Sequence, residues 1–129
     1  VEKPTREEAA YVRARVHQQK AEFDQARELY RSIIGGEKTE TAAKAQFMLA
    51  ETLFLQERWN EAIKEFLKVS ILYPIPEWQS LSLVEVGKCY ARQSQWGEAK
   101  KAFDEVIVRY GSLPAAQEAK KQLELLDKP

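Results

Sequence analysis

One nine-residue pattern occurs three times in this chain of 129 residues and constrains the fold more than any other feature. The copies read EFDQARELY (22–30), RWNEAIKEF (58–66) and QWGEAKKAF (95–103). Each has an aromatic residue, Ala three residues later and a second aromatic residue four residues after that, and their first aromatic residues are 36 and 37 residues apart. Positions i, i+3 and i+7 share one face of an α-helix. A period near 36 residues then indicates a helical solenoid.

A small residue lies nine positions before the first aromatic residue of each copy and predicts a partner helix there. These residues are Ala14, Ala50 and Gly87. Because small side chains let two helices approach closely, each repeat reads as a tight helix pair. Gly and Pro residues end the second helices, and Thr5 with Glu8 forms a potential capping box. The sequence predicts seven helices, at about 5–20, 23–34, 40–56, 59–72, 78–94, 96–109 and 115–126.

The composition argues against several functional classes. Twenty basic and twenty acidic residues give a net charge of zero, whereas a nucleic-acid-binding protein usually has a basic excess. No apolar run approaches the ~18 residues that a membrane span needs. His17 is the only histidine and Cys89 the only cysteine, so a metal site with several such ligands is not expected. We interpret both as packing or surface residues, and we expect neither a cofactor nor an enzyme.

The repeated residues resemble the tetratricopeptide repeat. The third copy reads Leu83-x-x-Val86-Gly87-x-x-Tyr90 followed by Ala99-x-x-x-Phe103, and the second reads Gln46-x-x-Leu49-Ala50-x-x-Leu53 followed by Ala62-x-x-x-Phe66. The first copy departs from the pattern, with Arg13, Ala14 and His17 where Leu, Gly and Tyr are expected. The resemblance implies an all-α fold, a right-handed α-solenoid of three helix pairs plus a C-terminal capping helix. Its repeats would span about 5–38, 40–75 and 77–112, with the cap at 114–127, in one domain over 1–129.

In this family the first helix of each repeat lines a concave groove that binds a peptide or partner protein. The residues that the resemblance places toward this groove are Tyr11, Arg15, Gln18, Lys44, Phe47, Glu51, Phe54, Leu55, Val84, Lys88 and Arg92. An alternative is that Phe47 and Phe54 pack against neighbouring first helices. Trp78 fits no repeated position and could be packed or exposed. Tyr11 and Met48 replace the Lys and Asn of the clamp that binds chaperone C-termini, so this ligand is disfavoured.

Two functional hypotheses follow. The first is an interaction module that binds a protein or peptide partner, with no nucleic acid involved. The second is an assembly module that stacks on other repeats of its parent protein, and a homo-oligomer is possible. The chain begins at Val1 without Met, so we expect it to have been excised from a longer protein. The helix ends VSILYP and VIVRYG are similar to bacterial cell-envelope tetratricopeptide proteins, which implies an envelope location, with the cytoplasm as the alternative.

Overall fold

The computed structural model describes residues 2–127, and within this range all of the regular structure is helical. The seven helices are α1 (Arg6–Gln19), α2 (Phe23–Ile34), α3 (Glu40–Leu55), α4 (Trp59–Leu72), α5 (Pro76–Arg92), α6 (Trp96–Arg109) and α7 (Pro114–Leu126). Every predicted helix is present, and its ends agree with the prediction to within two residues. Helix α5 begins two residues early because Pro76 occupies its first turn, where a missing N–H is tolerated.

The start of α1 has the capping box that the sequence predicts. The Glu8 backbone N–H donates to Thr5 Oγ1 at 3.0 Å, and the Thr5 backbone N–H donates to the Glu8 carboxylate at 3.4 Å. Thr39 caps α3 in the same way, accepting a hydrogen bond from the Ala42 N–H at 3.1 Å. Both caps satisfy backbone donors that have no partner inside the helix.

The two helices of each repeat are joined by the same turn in all three repeats. The residues Ala21, Glu57 and Ser94 have φ of 59°, 60° and 60° in the left-handed region. The next residue in each turn donates its N–H to the carbonyl of the residue five positions earlier. These bonds, each 2.9 Å long, run from Glu22 to His17, from Arg58 to Leu53 and from Gln95 to Tyr90. This is a Schellman ending, in which glycine is usual. The absence of glycine explains why the sequence pattern did not reveal these turns.

The repeated alanines and the second aromatic residues form the packed seams, as their spacing predicts. Ala26, Ala62 and Ala99 are fully buried, and so are Tyr30, Phe66 and Phe103. The small residues of the partner helices lie against them. In the third repeat, a Cβ added at Gly87 would lie 2.4 Å from Phe103 Cε1, which is closer than any van der Waals contact. Gly87 is therefore required by the close approach of α5 and α6.

The first aromatic residue of the pattern packs in only two of the repeats. The shared helix face predicts that all three first aromatic residues pack. Phe23 and Trp59 are half-buried, but Trp96 is 56% exposed, so this prediction is wrong for Trp96. The Trp59 ring packs edge-on against Phe54, with centroids 5.0 Å apart. Ala91 occupies the position corresponding to Phe54 in the third repeat and offers Trp96 no ring to contact.

The helices are arranged in two layers. Within the described chain, α1 contacts α3, α3 contacts α5 and α5 contacts α7, whereas α2, α4 and α6 make no contact with one another. The first helices of the repeats therefore form the inner layer and the second helices the splayed outer layer, as in a curved solenoid. Helix α7 packs against both α5 and α6, in the place where the first helix of a further repeat would lie.

Candidate partner-binding groove

A cavity of about 310 Å³ lies on the inner layer, and we call it the groove cavity. It is lined by residues of α3, α5 and α7, namely Glu51, Phe54, Glu85, Lys88, Ala91, Arg92 and Gln122. The structure thus brings together Glu51, Phe54, Lys88 and Arg92 from the predicted set. The repeat pattern did not point to Glu85 or Gln122. Glu85 lies at a position that Val12 and Met48 occupy in the other repeats, and Gln122 belongs to the helix expected only to cap the solenoid.

Aromatic rings hold Arg92 at the edge of the groove cavity. Its guanidinium carbon lies 5.5 Å from the centroid of Phe54 and 5.7 Å from that of Trp59. Such cation–π contacts hold a cationic side chain in place while its N–H groups remain accessible. Arg92 is exposed and has no carboxylate partner within ion-pair distance among the described residues.

Two carboxyl groups and a lysine form the floor of the groove cavity. Lys88 Nζ lies 3.1 Å from Glu85 Oε1 and 3.8 Å from Glu118 Oε1 on α7. Glu51 Oε1 has almost no exposed area and no hydrogen-bond partner among residues 2–127. Burial, and then the neighbouring Glu85, raise the pKa of Glu51 from its ordinary 4.5 to about 8. Its surroundings therefore favour the protonated form of Glu51.

The predicted residues of the first repeat lie apart from the groove cavity. The Tyr11 ring packs at 6.0 Å from the Tyr30 ring, and the Tyr30 hydroxyl donates to Gln18 Oε1 at 2.7 Å. Burial is the main reason why the pKa of Tyr30 is raised, so its hydroxyl stays a donor. Arg15 is half-buried, and no described residue forms a hydrogen bond with its Nε.

The remaining residues predicted on α3 differ in their exposure. Phe47 is half-buried, with its ring edge-on to Phe66 at 5.3 Å and to Trp78 at 5.4 Å. The packing alternative thus describes Phe47, and Trp78 is half-buried at the junction of the second and third repeats. Lys44 Nζ lies 3.6 Å from the Glu40 carboxylate, and Leu55 is 54% exposed at the end of the helix.

Val84 is the predicted groove residue that the structure contradicts. Only 2% of it is exposed, and it belongs to an apolar cluster with Phe103, Ala115 and Ala119. The last two residues belong to α7, which packs over α5 and covers this position. Val84 is therefore a core residue, because α7 acts as the next inner helix and not only as an end cap.

The environments of the single cysteine and the single histidine are those of structural residues. Cys89 is buried, and burial, with smaller contributions from Glu85 and Glu51, raises the pKa of its thiol to about 12. His17 Nδ1 lies 3.0 Å from the Glu22 carboxylate. Within residues 2–127, no group of three or more His, Cys, Asp or Glu side chains could hold a metal ion. No helix in this range has the length and apolar character needed to cross a membrane.

Comparison with known proteins identifies the repeat type. Two family models, both described as tetratricopeptide repeat, match residues 11–74 and residues 82–112. The first match begins within α1 and spans all of α2 to α4, and the second spans most of α5 and all of α6. No curated protein matches the chain. The matched segments, the three identical turns and the two-layer arrangement together show that this chain belongs to the tetratricopeptide repeat family.

Proposed function

We propose that this chain is a protein–protein interaction scaffold that binds a peptide or a partner protein in the groove formed by α1, α3, α5 and α7. Tetratricopeptide repeats generally mediate protein–protein interactions. The observation that carries the proposal is the groove cavity, where Arg92 lies over two aromatic rings with its N–H groups accessible. Aromatic and arginine side chains are enriched among the residues that dominate binding energies at protein interfaces.

The fold does not use the Arg92 charge elsewhere. The other basic residue that lines the cavity is engaged, since Lys88 pairs with Glu85 and Glu118. Arg92 therefore remains able to interact with a partner. We also propose a non-catalytic role, which is typical of the family. Cys89 is buried and neutral, and His17 contacts Glu22, so neither side chain is available as a nucleophile or base.

A charge reversal in the groove tests this proposal. We expect Arg92→Glu to abolish capture of a specific partner from an extract of the source cells, while the helical circular dichroism is unchanged. The control is Lys101→Glu, which makes the same charge change on α6, where the Lys101 side chain is 79% exposed. If both variants lose the partner equally, the effect comes from net charge and the groove assignment is wrong.

Photo-crosslinking locates the contact without removing it. A benzophenone amino acid at Leu55, the exposed last residue of α3, should crosslink to the captured partner, because α3 contributes to the groove cavity. The same amino acid at Val108, which is 83% exposed on the outer helix α6, should not. Crosslinking from Val108 alone would place the partner on the outer layer and contradict the proposal.

A second candidate function, an assembly module, is favoured by the outer face of α1. Val16 is 44% exposed, whereas the corresponding residues Thr52 and Cys89 are completely buried against the preceding repeat. Val12 on the same helix is 60% exposed. Continuation of the existing repeat-to-repeat interface would cover this face with the helix pair of another repeat.

Association of purified protein tests the assembly role. We expect light scattering to show an average mass that rises with concentration, and Val16→Glu to prevent this rise. Val108→Glu is the control, since Val108 is exposed but lies on the outer layer. A strict monomer at all concentrations would contradict self-stacking through α1.

A further inference from the structure

Two acidic side chains from neighbouring repeats line the groove cavity together. Glu51 belongs to α3 of the second repeat, and Glu85 belongs to α5 of the third. Glu51 Oε1 is enclosed and has no hydrogen-bond partner in the described part of the chain, and the Glu85 side chain is only 15% exposed. A buried carboxylate without a donor is strongly unfavourable, because it loses its hydration and gains nothing in exchange.

The basic and amide groups that line the groove cavity contact residues other than Glu51. On α5, Lys88 contacts Glu85 and Glu118, and Arg92 lies over aromatic rings. On α7, the Gln122 amide donates to the Glu118 carboxylate at 3.0 Å. None of these groups donates a hydrogen bond to Glu51. The buried Cys89 thiol remains neutral, since its pKa is raised by burial.

The other helices packed against α3 place no hydrogen-bond donor or ion-pair partner on Glu51 within the described chain. Arg15 of α1 forms no ion pair with Glu51. Arg27 of α2 donates to Thr52 at 3.0 Å and to Gln56 at 2.7 Å. The charged groups of α4, which are Glu61, Lys64, Glu65 and Lys68, form neither a hydrogen bond nor an ion pair with Glu51.

We propose that Glu51 and Glu85 share one proton across the contact between α3 and α5, and that this proton makes the groove sensitive to pH. A protonated Glu51 donates an O–H···O bond to the ionised Glu85, and such charge-assisted bonds are among the strongest in proteins. This bond joins the second and third repeats directly beneath the groove cavity. The effect on partner binding rests on the proposed function, whereas the shared proton itself does not.

The sign of the pH dependence follows from the direction of the shift. The pKa of Glu51 is 4.5 in an ordinary environment and is raised to about 8 in the fold. The stability that the raised pKa of Glu51 contributes is therefore fully present below pH 4.5 and is lost as the pH rises through about 8. Above that pH, two negative charges face each other between α3 and α5, and the groove cavity has gained one negative charge.

Titration of the wild-type protein tests the shared proton directly. The Glu Cδ resonances are followed by ¹³C NMR between pH 4 and pH 10, and Glu51→Gln and Glu85→Gln spectra assign the two signals. We expect one of these two carboxyl groups to titrate above pH 7, far from the exposed glutamates. If both carboxyl groups titrate below pH 6, the shared proton does not exist.

The thermal stability of matched variants tests whether the shared proton stabilises the fold. Glu51→Gln keeps an N–H donor for Glu85 but cannot ionise, so its melting temperature should fall less than that of the wild type between pH 6 and pH 9. Glu98→Gln is the control, because Glu98 is exposed and pairs only with Lys101 at 3.6 Å. An equal fall in the wild type and Glu51→Gln would overturn the proposal. Neither measurement needs a partner, so a failure here is distinct from a failure of Arg92→Glu to lose one.

Discussion

Corresponding faces of α1 and α3 differ in burial although they occupy the same place in the repeat. Ala45 on α3 and Ser82 on α5 are almost completely buried, whereas the corresponding Ala9 on α1 is exposed. At the other end, α7 covers Val84 and contributes Glu118 to the Lys88 ion pair. A position in a solenoid is thus core or surface according to whether a neighbouring helix covers it, and the repeat pattern alone does not decide this.

The largest difference in stability is expected between two variants that place a charge at corresponding alanines of α1 and α3. Ala45→Asp should lower the free energy of unfolding by about 3–5 kcal/mol, because it buries a carboxylate without a partner between two repeats. Ala9→Asp makes the same change on the exposed face of α1 and should stay within about 0.5 kcal/mol of the wild type. Urea denaturation followed by circular dichroism measures both, and similar losses would show that the two faces are equally covered.

An intermediate difference is expected between two glycines of the third repeat. Gly87→Ala should destabilise the protein by about 1–3 kcal/mol, because the new Cβ would collide with the Phe103 ring. Gly97→Ala should instead stabilise it by about 0.5 kcal/mol, since a Cβ at Gly97 meets no atom within 4 Å and alanine favours the helix. Urea midpoints that move in the same direction would contradict the close packing of α5 and α6.

The smallest difference is expected between the two corresponding tryptophans. Trp59→Ala removes the contacts with Phe54 and Arg92 and should cost about 1–2 kcal/mol. Trp96→Ala should change stability by less than about 0.5 kcal/mol, because this side chain is mostly exposed. Iodide should quench Trp96 fluorescence more strongly than Trp59 fluorescence in proteins that retain only one tryptophan. Equal quenching would contradict the difference in burial.

The sequence alone predicts most of the fold, because helices and packed seams depend on local spacing. The pattern of Ala62 and Phe66 recurs in every repeat and identifies the buried face of each second helix. The candidate site is less predictable. Exposure on the inner layer depends on which helix lies opposite, so Val84 was wrongly assigned and Glu85 was missed. Their environment comes from α3 and α7, which lie far from them along the chain.

The hydrogen-bonded turns at Ala21, Glu57 and Ser94 make each repeat a unit closed by short-range contacts. Within the described chain, no helix contacts another that is more than two places away in sequence order. Local opening can therefore start at an end, and α1 can detach without breaking the seam between α5 and α6. Amide hydrogen exchange should thus be slowest in α3 to α6 and fastest in α1. The helix with the uncovered face is therefore also the most dynamic helix of the described chain.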